Sequence, residues 1–216
     1  GGANGFEGIA PEANRHHFEN GDVIIDFDKL KAINERIAGW IDVPSVGISY
    51  PVVQGDDNDY YLNHTVTGEE NWSGAIFLDY RNSPLIDDFH TFIYGHHMQD
   101  NSMFASLLEY DSKDFFDKQA ADNNNYFYIY LENKVQVYQI FNVCDVTYDS
   151  NPETFLIASE RTIEKYLADI DKLKLYDTGV TAEASDHIVT LYTCQNGSAN
   201  PERHMVHGKL IATINQ

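Results

Sequence analysis

Apolar and polar positions alternate in short runs along most of this chain, and such runs predict strands rather than helices. "GWIDVPSVGISYPVV" holds two of them, broken by Pro44 and Gly47. "GAIFLDY" and "HTFIYG" are two more, separated by the loop "RNSPLIDDF". "YFYIYL", then "ENK", then "VQVYQIFNVCDV" reads as a β-hairpin with aromatic and β-branched arms. "HIVTLYTC" and "HMVHGKLIATI" supply the last two strands. Helical spacing is confined to a few places. "DFDKLKAINERIAGW" puts Leu30, Ile33 and Ile37 on one face, with Asp28 as N-cap and Gly39 closing a helix over about 28–38. "SMFASLLEY" and "SKDFFDKQ" predict short helices, and "DDNDYYLNH" a loop with a helical turn. "SERTIEKYLADIDKLKL" is the clearest helix, with Ile163, Tyr166, Leu167, Ile170 and Leu173 on one stripe and Ser159 as its N-cap. Helices do not alternate with strands, which argues against a parallel doubly wound sheet. The expectation is a mainly β fold, a closed barrel or sandwich with peripheral helices.

Composition narrows this only slightly. A length of 216 residues suits one domain with a small appendage and can bury a core without disulfides or metal. The opening "GGANG" has the look of a tag remnant, so residues 1–25 are set apart as a flexible or tag-derived segment. The formal net charge of −20 repels phosphate backbones and anionic lipid, so nucleic acid is excluded as a partner while amines remain allowed. Two cysteines, Cys144 and Cys194, are too few for a disulfide scaffold, and whether they pair stays open. No run of about 18 apolar residues spans a membrane, and no signal peptide is visible.

The candidate chemistry gathers at strand ends. Cys194 closes the strand "HIVTLYTC", on the same face as Tyr192 by alternation, before the turn-rich "QNGSANPE". A thiol there is either a small buried hydrophobe or a nucleophile held rigidly beside a loop. "TFIYGHHM" ends a strand at Gly95, where the backbone has room to turn and His96 to emerge in the same way. If the last two strands pair, Arg203 returns across the loop to Cys194. Cys194 then attacks a carbonyl, His96 moves protons, and Arg203, with the backbone N–H of Gln195, holds the oxyanion. Histidines at 90, 96, 97, 204 and 207 offer no CxxC or HExxH spacing, so neither metal nor cofactor is expected. Cys144, inside a strand, is expected in the core.

"LYTC" followed by Arg203, with "YGHHM" upstream, resembles the TLxTC…R and Gly-His signatures of sortases, the cysteine transpeptidases of Gram-positive cell surfaces. The stretch from "LKAINERIAGW" to "FLDYRN" resembles the front half of class B sortases, and "SERTIEKYLADIDKLKL" resembles the helix that class inserts before the TLxTC strand. The resemblance covers roughly residues 26 to 214 and implies an eight-stranded sortase β-barrel over 26–216, with an N-terminal helical appendage and the barrel from about residue 40. It assigns nucleophile, histidine and arginine to Cys194, His96 and Arg203, and substrate-groove positions to Asn58 and Leu62. Tyr192 replaces a common Ser two residues before the cysteine, and "QNG" replaces an acidic-aromatic run, so the groove near the scissile bond is altered.

The implied reaction cleaves a C-terminal sorting signal of NPxTN type after Thr and forms a thioacyl enzyme. It then transfers the acyl group to an amine on peptidoglycan or a pilin lysine. Family members are tethered by an N-terminal membrane helix, so a soluble ectodomain on the extracellular face of the membrane is expected. Two other readings stay open from the residues themselves: a cysteine hydrolase that releases to water, and a non-catalytic surface-binding barrel.

Overall fold

The computed structural model describes residues 25–147, 160–194 and 202–215. Eight strands follow the alternating runs: β1 (Ile37–Val43), β2 (Ile48–Gln54), β3 (Ile76–Leu78), β4 (His90–Gly95), β5 (Tyr126–Leu131), β6 (Lys134–Thr147), β7 (Ile188–Cys194) and β8 (Glu202–Asn215). They close into a barrel in the order β1-β2-β3-β4-β7-β8-β6-β5, with β5 pairing back to β1. Closure removes free sheet edges, which is how many short strands become one stable sheet. The mainly β, eight-stranded barrel expected from the sequence is the fold observed. Short returns make the β1–β2 and β5–β6 antiparallel pairs, whereas β1–β5 and β6–β8 join strands distant in the chain. β4 and β7 pair in parallel, so the chain between them must cross over the barrel. That crossover carries a 3-10 segment (Ala105–Asp111), α2 (Lys113–Ala121), the β5–β6 hairpin and α3 (Glu160–Leu173). Its consequence is functional: the C-terminal ends of β4 and β7 open at the same end of the barrel.

Three apolar clusters hold this arrangement. The barrel interior joins Ile41, Val52, Ile93, Leu191 and Val206, and the 3-10 segment closes one end with Leu107 and Tyr110. Outside the barrel, α1 (Phe27–Ile33) packs Phe27 and Leu30 against Trp40 and Tyr130. On the other side α3 lays Ile163, Tyr166 and Ile170 over Phe92, Ile188 and Met205, as its amphipathic stripe requires.

The first helix is shorter than its periodicity suggests. Its N-cap is Asp26, which accepts from the Lys29 N–H at 3.1 Å, and it ends at Ile33 rather than running to about 38. Asn34 is extended, and its amide donates to the Tyr61 hydroxyl and the Val66 carbonyl, turning the chain into β1. Gly39 therefore lies within β1, at a bulge where a Cβ would sit 2.7 Å from the Tyr130 carbonyl oxygen. The stretch "ASLLEYD" forms a 3-10 rather than an α-helix. Ser159, the expected cap of α3, lies outside the described residues.

Candidate active site

Three neighbouring strands end together. In β7–β8 the backbone of Cys194 is registered directly across from Arg203. In β4–β7, Gly95 is registered beside Thr193, so His96 follows β4 as Cys194 closes β7. Adjacent strands lie about 4.8 Å apart, so positions 96, 194 and 203 fall within about 10 Å of one another. Parallel pairing of β4 with β7 and antiparallel pairing of β7 with β8 are both needed for this. Gln195 lies outside the described residues.

His96 is half-buried, and its Nε2 lies 2.6 Å from the Leu62 carbonyl oxygen. A carbonyl only accepts, so Nε2 carries a hydrogen and Nδ1 is the nitrogen left to take a proton. Leu62 thus reaches the site through its backbone, while its side chain is 41% exposed. The segment after His96 folds back under it, with the Phe104 N–H donating to the His96 carbonyl at 2.9 Å. Here Gly95 matters for space rather than for a turn. A Cβ on it would lie 2.6 Å from Phe104 Cγ and 2.5 Å from Ile76 Cδ1. Arg203 is half-buried, and its guanidinium donates to the Glu202 carbonyl at 2.9 Å.

Next to this row stands a polar network of which the sequence pointed only to Asn58. Asp79, fully buried just past β3, accepts from the Tyr94 hydroxyl at 2.8 Å, from the Asn58 amide at 2.9 Å and from Arg81 Nε and Nη2 at 3.0 Å. Burial would raise its pKa, but the bonds from Arg81, Tyr94 and Asn58 together hold it below the usual carboxylate value. Burial, followed by the Asp79 charge, drives the Tyr94 hydroxyl far above an ordinary phenol, so it stays a donor. Asn58 spends its other amide atom on the Tyr80 N–H at 3.1 Å. The Tyr94 ring meets Tyr192 edge-to-face, with centroids 5.3 Å apart. Tyr94 stands two residues before His96, and that alternation was the signal available in "TFIYGH".

Comparison with known proteins identifies the family. The sortase-domain family model matches residues 41–211. The chain belongs to the sortase family. Sortase B of Listeria monocytogenes is 33% identical to this sortase over 197 residues, covering 89% of this chain and 76% of the relative. A solved Clostridium perfringens sortase B superposes with a TM-score of 0.76 at 34% identity, covering 86% of this chain and 100% of that one. A solved Staphylococcus aureus sortase B–substrate complex gives 0.75 at 29% identity, covering 86% of this chain and 84% of that one. This sortase is therefore a cysteine transpeptidase of the B type, acting on sorting-signal substrates as cell-surface enzymes of Gram-positive bacteria do. Among its described residues no helix is long and apolar enough to cross a membrane.

Cys144 is fully buried and unpaired by disulfide, and burial, with the Asp145 charge adding, pushes its thiol up to about 12. That protonated, enclosed sulfur is no nucleophile.

Proposed function

We propose that Cys194, His96 and Arg203 form the reaction centre of this sortase, and that its groove takes an NPxTN-like sorting signal. The observation that supports this is the backbone register: 194 opposite 203, with 96 beginning where β4 ends beside them. The Cys194 thiol gives its proton to His96 Nδ1 as sulfur attacks the Thr carbonyl carbon. The new oxyanion is held by Arg203, whose charge is permanent, and by the Gln195 N–H. The C–N bond then breaks, and His96 hands the proton to the leaving amine. A second amine, on peptidoglycan or a pilin lysine, loses a proton to His96 as it displaces the sulfur, and the thiol is restored. Asn58, Leu62 and Tyr192 line the peptide's path. Asn58 does so by fixing Asp79 and Tyr94, and Tyr192 by narrowing the groove where relatives commonly carry Ser. The full-length enzyme works tethered at the extracellular face of the membrane.

The test is a sorting-signal peptide offered with and without diaminopimelate or oligoglycine, followed by mass spectrometry. The expected result is a thioacyl adduct on Cys194 and an amide product that contains the added amine. Cys194→Ala should abolish both, and Arg203→Ala should lower turnover by about 10²–10³-fold, the usual loss for one oxyanion donor. Cleavage that never incorporates the amine would make this chain a hydrolase, and cleavage that survives Cys194→Ala would remove the proposed centre.

A further inference from the structure

On the inner side of the same strand end lies a second ionisable cluster. His204 follows Arg203 on β8, is registered opposite Thr193 on β7 and Asp145 on β6, and is fully buried. Its Nδ1 lies 2.9 Å from an Asp145 oxygen and 2.9 Å from an Asp111 oxygen, and its Nε2 lies 3.1 Å from the Leu107 carbonyl. Asp111 and Leu107 belong to the 3-10 segment that plugs the barrel end. A carbonyl cannot donate, and a carboxylate only accepts. A neutral imidazole has one N–H, so either tautomer would aim a lone pair at an acceptor. With both carboxyls ionised, only the doubly protonated ring satisfies all three contacts.

We propose that His204 is a positioning residue for the transpeptidation: as an imidazolium it pins the plug to β6 and β8, and so fixes the segment bearing His96 relative to the strand bearing Arg203. The mechanical path is short. The plug starts at Ala105, one residue after Phe104, whose N–H holds the His96 carbonyl and whose ring packs beneath Gly95. The other end of the path is the peptide bond joining His204 to Arg203. The catalytic consequence rests on the assignment of His96 and Arg203 above, whereas the state of the ring does not.

The surroundings favour the charge. Burial pulls the ring toward neutrality, but its bonds to Asp111 and Asp145 outweigh burial and raise its pKa to about 9. Asp145 faces it from β6, Asp111 and the Leu107 carbonyl from the plug, and Thr193 from β7. His207, three residues along β8, feels the positive charge, while Tyr176 feels the charges of Asp111 and Asp117.

The test is a heteronuclear NMR titration of the histidine rings, run in the intact protein and in Cys194→Ala so that it is independent of catalysis. The expected result is a His204 ring carrying both protons at pH 7.5 with a midpoint near 9, moved below 7 in Asp111→Asn/Asp145→Asn. Amide exchange over 104–111 should quicken about tenfold between pH 8 and 10, after correction for intrinsic rates. His204→Gln should show that fast exchange at every pH and a kcat about tenfold lower, with KM changed less than twofold. A neutral His204 at pH 7.5 overturns the proposal even if His204→Gln fails to fold. So does a ring signal that shifts on adding EDTA, because a metal would then hold the cluster. A charged ring together with wild-type exchange and kcat in His204→Gln overturns the positioning role. If Cys194→Ala keeps activity while the titration is as described, the fault lies with the assigned reaction centre and not with the ionised ring.

Discussion

Gly95→Ala tests whether the position of His96 is set by packing beneath it. The added methyl would lie 2.5 Å from Ile76 Cδ1 and 2.6 and 2.7 Å from Phe104 Cγ and Cδ2. Carbon atoms in contact sit about 3.5–4.0 Å apart, so the neighbours must give way by about 1 Å. Ile76 presents the end of a flexible side chain. Phe104 presents the root of a ring that is fully buried, and its N–H is committed to the His96 carbonyl. Overpacking of this kind costs about 1–3 kcal/mol, and a domain of this size loses about 2–4 °C of Tm per kcal/mol, so a drop of about 2–12 °C is expected. Moving Phe104 drags His96, and a displacement near 1 Å in the proposed proton carrier would cost up to about 100-fold in rate. Chemical unfolding and peptide-cleavage kinetics measure both. The decisive comparison is a double-mutant cycle with Phe104→Ala, which removes the colliding ring atoms and leaves only the flexible end of Ile76. Gly95→Ala should cost much less on that background than on the wild type. Equal cost in both backgrounds, or wild-type Tm and turnover in the single variant, would refute the packing argument.

Other outcomes follow from the same reasoning. Asp79→Asn places an amide N–H₂ among the Tyr94, Asn58 and Arg81 donors. It should destabilise the protein by about 3–5 kcal/mol, as for a broken buried pair, and raise KM for the sorting peptide as Tyr94 and Asn58 loosen. Tyr166→Phe removes the hydroxyl that shares a 2.6 Å hydrogen bond with buried His207. It should cost about 1–3 kcal/mol by denaturant titration and leave the cleavage chemistry unaltered. Thermal melts from pH 4 to 10 should show two buried histidines pulling stability in opposite senses. His204 has a folded pKa raised from 6.5 to about 9, so its contribution of about 3 kcal/mol at most is complete below 6.5 and is lost as pH rises through 9. His207 works in the opposite sense. Burial, with His90 adding, holds it neutral far below 6.5, so its contribution is present above 6.5 and is lost as pH falls.

Much of this protein could be read from the order of its residues. Successive side chains of a barrel strand face opposite ways, as along 143 to 146, where Val143 joins the interior while Cys144 and Val146 pack outside, and that alternation identified the strands. A strand-terminal cysteine, a histidine after Gly95 and an arginine near the start of the last strand, the proposed reaction centre, stood out because each lies at a strand end. Where local pattern misled, a partner distant in the chain had intervened. Ile33 and Ile37 keep helical spacing, but Asn34 bonds to Tyr61 and Val66, and that decides that Ile37 begins a strand.

The charges were hidden for the same reason. Asp79, Tyr94, Asn58 and Arg81 come together through the β3–β4 pairing and its flanking loops, and Asp111, Asp145 and His204 come from three elements spread over nearly half the chain. No periodicity announces such clusters, because a hydrogen bond reads distance in space and an amphipathic pattern reads only distance along the chain. The strands are written in the residue order. Which strand ends share a rim, and which buried ring must keep its second proton, follows from how the barrel closes.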